Sequence, residues 1–207
     1  MARIDNFTRI EYLISQMNKL SSADDFLFVQ LYKRRKDHPH MSVDMELVDN
    51  FFITREKSLS HYKERIVSRC LQTGSRAYIR LNKRSFSDVA LVTTKKIIDL
   101  IRSNQAHAAK TAYISACGSE HADNDKTWLI DADNLSEEQL GEVCSLASEL
   151  QSKRGIDPLL EYIPTVNGGH IITRPFHVDE FKSSLNIKID IHKDNPTLLF
   201  YYETDEN

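Results

Sequence analysis

The spacing of apolar and polar positions in the first half of the chain predicts helices alternating with strands. Phe7, Ile10 and Leu13 recur at the spacing of one helix face, and Gly74 is placed to end a later helix. A third helix is expected to begin at a capping serine, Ser85 or Ser87. The predicted helices cover residues 5–20, 58–72 and a segment ending near 103. The predicted strands cover residues 25–32, 51–54 and 76–81.

The second half predicts a strand, a capped helix and two hairpins. Ser136 with Gln139 forms a capping box that opens a helix ending near Gly155, and Asn167-Gly168 is a strong turn signal. A polar loop is expected over 118–126, and an acidic, frayed tail over 203–207. The predicted strands cover residues 111–116, 127–132, 159–164 paired with 169–174, and 187–192 paired with 197–202, with a short helix over 178–184.

This order of elements favours an α+β fold with two lobes in one compact unit. We expect residues 1–105 to form an N-terminal α/β lobe and residues 106–207 to form a lobe around a mixed or antiparallel sheet. A chain of 207 residues is long enough for one large or two small domains.

Composition narrows the possible functions. The formal net charge is −3, which argues against a protein that coats nucleic acid by bulk charge but leaves room for a local basic groove. No apolar stretch is long enough to span a bilayer and residues 1–20 contain no signal-peptide core, so we expect a cytoplasmic protein with no membrane partner. The three cysteines lack metal-site spacing and are expected to be buried free thiols.

Two aspartates at the end of an apolar run are the strongest chemical signal. Asp131 and Asp133 follow residues 128–130, and in a strand both would emerge on the same side. Two such carboxylates repel each other unless a cation lies between them. Magnesium sites use one or two carboxylates together with substrate phosphates. The pair therefore predicts metal-assisted phosphate chemistry; the alternative is two surface aspartates that cap the following helix.

A glycine-flanked histidine and a third aspartate are candidate partners of this pair. Gly168 and Gly169 precede His170 and permit a tight turn and the close approach of a ligand. Further on, isoleucines alternate with polar residues over 187–192, so that Asp190 lies on a polar strand face. Packing of the two lobes could place Asp190 beside the acidic pair. The alternatives are a structural histidine and a solvated sheet face.

Basic residues form two clusters that suit a nucleic-acid backbone. One is the run from Lys33 to Lys36. The other lies on the predicted strand 76–81 and just beyond it, with Tyr78 as an aromatic neighbour suited to base stacking. Its members are Arg76, Arg80, Lys83 and Arg84. The alternative is a solvated strand face, or ion pairs with acidic neighbours.

In their order, these motifs resemble those of the archaeo-eukaryotic primase superfamily, which includes small primase-polymerases of phages and plasmids. The matching segments are Ile130-Asp131-Ala132-Asp133, then Gly168-Gly169-His170, then Ile189-Asp190. The resemblance covers residues 76–203 and departs from the family where Gly168 replaces a serine two residues before the histidine. It implies an RRM-like sheet with helices on one face, behind a smaller α/β lobe.

The resemblance also implies a function and a set of site residues. Asp131, Asp133 and Asp190 would be catalytic and would bind Mg²⁺ or Mn²⁺, with Asp194 as a rival third acid. His170, Arg174 and the two glycines would bind the nucleotide. The implied activity is nucleotidyl transfer on a single-stranded DNA template, with nucleoside triphosphates and a helicase or other replication proteins as partners.

Two other functions remain open at this point. One is a different metal-dependent phosphotransfer enzyme such as a nuclease. A Toprim-type domain is disfavoured because no glutamate occurs between Glu64 and Glu120. The other is a catalytically inactive protein that binds nucleic acid or a partner with the same fold.

Overall fold

The computed structural model describes residues 3–119 and 126–203, which form an α+β fold with two antiparallel sheets. The first sheet contains β1 (Arg3–Asp5), β2 (Asp25–Arg34), β3 (Met45–Ile53), β4 (Arg76–Ser85) and β9 (Thr197–Tyr202). Its strand order is β1-β9-β4-β2-β3, and every neighbouring pair is antiparallel. The sheet therefore joins the first and the last strands of the described residues.

Helices cover both faces of the first sheet. The helices on one face are α1 (Phe7–Met17) and α2 (Leu59–Thr73). A 3₁₀ helix (Ala106–Thr111) and two α-helices, α3 (Phe86–Arg102) and α4 (Ala112–Ser119), follow β4. Residues of α3 and α4 pack on Phe26 and Phe28 of the opposite face. The sheet has an apolar core on each face because successive side chains along β2 point to opposite faces.

The second sheet is built from one continuous segment. Its elements are β5 (Trp128–Asp131), α5 (Glu137–Lys153), β6 (Leu160–Pro164), β7 (Gly169–Thr173), α6 (Val178–Ser184) and β8 (Asp190–His192). The strand order is β6-β7-β5-β8, and all neighbours are antiparallel. This β-α-β-β-α-β order is the split βαβ arrangement. Helices α5 and α6 pack on the face that carries Ile130 and Ile171.

The two sheets share a hydrophobic core and buried polar links. Leu129 and Ile172 of the second sheet belong to the same core cluster as Phe200 of β9. Asn6 donates to the carbonyl oxygens of Pro164 and Leu198, both at 2.9 Å. Because each buried amide needs a partner, these bonds fix how the sheets meet.

Local signals in the sequence account for several helix ends. Ser58 caps α2, whose C-terminal Gly74 adopts a left-handed φ of 65°. Ser85 caps α3, and Ser136 forms the predicted capping box at the start of α5. The predicted roles of Gly74, Ser85 and Ser136 are confirmed, as are the hairpin β6–β7 and the helix Val178–Ser184.

Two predicted elements are wrong. Residues 111–116 were expected to form a strand, but they complete the 3₁₀ helix and begin α4. The buried residues of α4 are Ala112, Ala116 and Cys117, and their spacing is that of one helix face. Alanine also favours the helix. Strands 187–192 and 197–202 were expected to form a hairpin, but β8 pairs with β5 and β9 pairs with β4 and β1.

The link between β8 and β9 crosses from one sheet to the other. Asp194 in this link is held by Arg80, Arg84 and Asn82 of β4, so the chain is fixed against the first sheet before β9 begins. Helix α4 and strand β9 thus pack with the first sheet, although they follow the expected lobe boundary at residue 105. The loop predicted over 118–126 is wrong at its start, because α4 continues to Ser119. Residues 120–125 of that loop and residues 204–207 of the predicted tail lie outside the described residues. No helix in the described ranges is long and apolar enough to cross a membrane.

Candidate functional site

The strand register brings three of the predicted site residues side by side. Asp131 on the central strand β5 is directly opposite His170 on β7 and directly opposite Asp190 on β8. Residues opposite each other on antiparallel strands share a face, with Cβ atoms about 5 Å apart. A row of carboxylate, carboxylate and imidazole therefore crosses the end of the second sheet.

This row lies on the sheet face that is turned toward the first sheet. Leu129, two residues before Asp131, shares that face and packs into the core common to both sheets. Ile163, which is opposite His170, packs there too. The polar row thus lies between this buried apolar surface and solvent. Asp131 is partly buried and Asp190 is exposed. Such a position lets a ligand reach the carboxylates beside an apolar wall.

Asp133 lies just beyond the end of β5 and is held by two hydrogen bonds. Its Oδ1 accepts a bond of 2.6 Å from Thr165 Oγ1, and its backbone N–H donates to Asp131 Oδ1 at 3.2 Å. The next residue, Asn134, has a positive φ of 60°, so the chain turns immediately after the second aspartate. The acidic pair is therefore positioned by a turn and by a threonine of the facing hairpin.

His170 is a partly buried imidazole close to both aspartates. Its Nδ1 lies 2.9 Å from Thr197 Oγ1, the first residue of β9. Burial lowers the pKa of His170 below its ordinary value; the charges of Asp131 and Asp133 oppose this, and His192 adds to it. The neutral ring is thus favoured near pH 7, and Nε2 is the ring nitrogen left to contact a ligand.

The two glycines before His170 are required by close packing. A Cβ at Gly168 would lie 2.7 Å from the carbonyl oxygen of Ala132, and a Cβ at Gly169 would lie 2.2 Å from the ring of Tyr162. At Gly168 the neighbouring atoms belong to the backbone, so no side chain fits, whereas at Gly169 the Tyr162 ring would have to move. The glycines therefore let the β6–β7 turn approach the end of β5, which brings His170 next to the acidic pair; the predicted contact with a nucleotide stays a prediction.

Arg174 lies away from this row. It follows the last residue of β7, so about 13 Å of strand separates it from His170. Its Nη1 donates to the carbonyl oxygen of Asp157 at 2.8 Å, and its backbone N–H donates to Gln151 at 3.0 Å. In this arrangement Arg174 stabilises the segment after α5 and is not brought to the candidate site.

Asp194, the rival third acid, is committed to a different set of partners. Its Oδ2 lies 2.6 Å from Arg84 and 3.3 Å from Arg80, and its Oδ1 accepts a bond of 3.1 Å from Asn82. The Arg84 side chain is completely buried, so its charge needs this carboxylate. Asp190 is instead the acid that lies in register with Asp131.

The four basic residues predicted to line a template groove each form an ion pair. Arg76 donates two bonds to Asp37, at 2.7 and 2.5 Å, and its guanidinium stacks on Tyr201. Lys83 pairs with Asp25 at 3.1 Å. Arg80 and Arg84 share the Asp194 carboxylate as described above. A template contact through these residues would have to replace existing pairs, so their predicted role stays untested.

Three side chains of the site were given no functional role by the sequence-based prediction. His192 lies opposite Leu129, so it shares the face of the polar row, and its alternation with Asp190 was a usable signal. Thr165 and Thr197 hold Asp133 and His170 respectively. Nothing in the sequence identifies these threonines, because their contacts depend on how distant segments pack.

The acidic residues supply some, but not all, of the ligands that a hard divalent cation needs. Carboxylate oxygens are the ligands that Mg²⁺ prefers, and one or two are enough when substrate phosphates supply others. No three histidine, cysteine, aspartate or glutamate side chains among the described residues are arranged to hold a metal ion together. Asp131 with Asp190 or Asp133 thus fits an ion that binds together with a phosphorylated substrate, and not an ion enclosed by protein groups alone.

Comparison with known protein families, with curated proteins and with solved structures finds no match to this chain.

Proposed function

We propose that this protein is a metal-dependent nucleotidyltransferase, a primase or primer-extending polymerase that acts on a single-stranded template. The observation that carries the proposal is the register in which Asp131 has His170 on one side and Asp190 on the other. The split βαβ sheet with two helices on one face supports it, because an RRM-like sheet behind a second α/β unit is what the primase resemblance implies.

The proposed chemistry assigns a separate task to each side chain. Asp131 with Asp190 or Asp133 would hold Mg²⁺ or Mn²⁺ through carboxylate oxygens, and the ion would supply positive charge beside the transferring phosphate. Neutral His170, oriented by Thr197, presents Nε2 to a phosphate oxygen of a nucleoside triphosphate. The proposal includes replication proteins such as a helicase as partners, and a cytoplasmic location.

A second candidate is a non-catalytic protein that binds nucleic acid with the same fold. The observation that favours it is that no three metal-ligand side chains converge within the described ranges. A nuclease would use the same carboxylates and differs only in the substrate that they receive. Both alternatives are separated from the first by a direct activity measurement.

The test is nucleotide incorporation on a primed and an unprimed single-stranded DNA template with Mg²⁺ or Mn²⁺. We expect the parent to extend or make a primer, and Asp131→Asn or Asp190→Asn to lose at least about 100-fold in rate, as when one key transition-state group is removed. Asp179→Asn, an exposed aspartate of α6, is the matched control and should keep the parental rate.

The outcomes separate the candidates. Degradation of the template, lost in the same two variants, would indicate a nuclease. Template binding with neither incorporation nor degradation under any metal would indicate the non-catalytic protein.

A further inference from the structure

Beyond the candidate active site, one face of the first sheet carries two neighbouring tyrosines whose hydroxyls each accept a hydrogen bond. We call Gln30, Tyr32 and Tyr78 the tyrosine strip; they lie on β2 and β4, with Gln30 directly opposite Tyr78. Gln30 Nε2 donates to the Tyr32 hydroxyl at 2.5 Å, and the two tyrosine rings are 6.4 Å apart. Both rings are only half-buried, so part of each is open to a ligand.

A basic segment lies at one end of the tyrosine strip. Arg34, at the end of β2, donates to the Tyr78 hydroxyl at 3.1 Å, and it belongs to the run Lys33–Lys36. A concave surface of about 610 Å³ lies beside this run. Its lining residues are Arg34, Arg35, Lys36, Pro39, Asp44 and Met45. Three of these six are cationic, and Asp44, the acid among them, pairs with Arg35.

The other end of the strip reaches the connector beside the candidate active site. Arg80 donates to Gln30 Oε1 at 3.2 Å and also binds the backbone carbonyl and the side chain of Asp194. Asp194 follows strand β8, which carries Asp190 and His192. Hydrogen bonds therefore run from Tyr32 through Gln30 and Arg80 to Asp194. The ring contact between Tyr32 and Tyr78 joins them to Arg34 of the basic segment.

We propose that the tyrosine strip and the basic segment Lys33–Lys36 form a binding surface for single-stranded nucleic acid. Bases stack on Tyr32 and Tyr78, and phosphates contact the basic segment. Aromatic rings beside cations on an open sheet face are the usual means of holding a single strand without sequence preference. With a net charge of −3, attraction of a polyanion has to come from such a local surface.

The second basic cluster is a weaker candidate for the same ligand. Arg76 and Arg84 already bind carboxylates, and Arg84 is completely buried, so a phosphate would have to displace an internal partner. The basic segment has its charged groups at the end of a hairpin, where Lys36 is exposed. The proposed surface deepens the proposed function by naming where a template lies, but binding itself needs neither metal nor nucleotide.

The experiment measures binding of a fluorescent oligothymidine of about 16 nucleotides by anisotropy, in EDTA and at several salt concentrations. We expect Tyr78→Ala to weaken binding about 5- to 150-fold, the range for loss of one base-stacking ring. Tyr78→Phe keeps the ring and loses only the bond to Arg34, so it should bind nearly as the parent does. Arg35→Ala with Lys36→Ala, which removes two cations that line the concave surface, should flatten the salt dependence by roughly 1.4 in slope.

Matched controls use exposed residues elsewhere. Tyr12→Ala removes an exposed ring from α1, and Lys95→Ala with Lys110→Ala removes the same charge from the α3 region. Parental binding in both controls, with losses in the strip variants, supports the proposal. No binding by the parent, equal losses in controls and strip variants, or parental binding by Tyr78→Ala would overturn it.

The failure of this proposal is distinguishable from that of the proposed function. Binding that depends on Tyr78 but without nucleotide incorporation would leave the surface in place and reject the enzyme. Incorporation that is lost in Asp131→Asn, together with parental binding by Tyr78→Ala, would retain the enzyme and reject this surface. Unfolding is monitored by circular dichroism, so that a misfolded variant is not counted.

Discussion

Replacing Asp194 by asparagine should destabilise the fold, whereas the same change at Asp190 should not. Asp194 lies 2.6 Å from Arg84, whose side chain is fully buried and whose other bonds go to the carbonyl oxygens of Cys117 and Asn82. Burial lowers the pKa of Arg84, and the charge of Asp194 is the main opposing influence. Asp194→Asn therefore leaves a buried guanidinium without a counter-charge.

The expected loss of unfolding free energy in Asp194→Asn follows from the burial of Arg84 and Asp194. Removing one member of a fully buried ion pair costs about 3–5 kcal/mol. The Asp194 side chain keeps 19% of its exposure, so water can replace part of the lost interaction, and we expect about 3 kcal/mol. Asp190 is exposed, and Asp190→Asn should change the free energy of unfolding by no more than about 0.5 kcal/mol.

Urea unfolding followed by circular dichroism measures both changes, provided that the denaturant slopes agree with that of the parent. Manganese binding, measured on the same proteins with a nucleoside triphosphate present, should decrease in Asp190→Asn and persist in folded Asp194→Asn. An Asp194→Asn protein that is within 1 kcal/mol of the parent would refute this account of the buried pair. A large loss of stability in Asp190→Asn would refute its assignment as an exposed ligand.

Three further predictions rest on single contacts. The folded state holds the pKa of His170 below its ordinary value, so the unfolded chain takes up more protons below about pH 6.5. In EDTA the parent should therefore lose more stability than His170→Asn as the pH falls from 7 to 5; parallel pH profiles would contradict this. Gly169→Ala should cost about 1–3 kcal/mol through contact with Tyr162, and Tyr162→Ala should relieve much of that cost; a neutral Gly169→Ala would reject the packing argument. Burial raises the pKa of Cys117 to about 11, so alkylation near pH 8, followed by mass spectrometry, should modify half-buried Cys144 first; the reverse order would contradict the burial argument.

The parts of this structure that the sequence predicts are those set by local rules. Ser136 and Gly74 identify helix ends because capping depends on neighbouring residues alone. The apolar run before Asp131 identifies a strand for the same reason. Asp190 was placed beside the acidic pair only as a possibility, because no local rule says which strands become neighbours. Asp190 comes into register with Asp131 because β8 pairs with β5, although α5 and the β6–β7 hairpin lie between these strands in the sequence.

The errors arise where tertiary contacts override local pattern. The strands before and after Asp194 were predicted to form a hairpin. Instead, two arginines and an asparagine of β4 bind Asp194 in the link between β8 and β9, and β9 joins the first sheet. The role of the β4 basic residues in binding nucleic acid stays a prediction, and the sequence does not show that Asp37, Asp25 and Asp194 lie beside them. The charge of a side chain alone does not show whether it forms an ion pair in the fold.

The most direct test of a single metal and nucleotide site is paramagnetic broadening of histidine side chains by Mn²⁺. Manganese broadens nuclear resonances only at short range, so ¹⁵N-labelled imidazoles report which rings lie near the ion. With a nucleoside triphosphate present, we predict that His170 and His192 broaden at low Mn²⁺ concentration, that His107 of the 3₁₀ helix does not, and that Asp131→Asn abolishes the effect. Sharp His170 signals in the presence of Mn²⁺, or equal broadening in Asp131→Asn, would contradict the site.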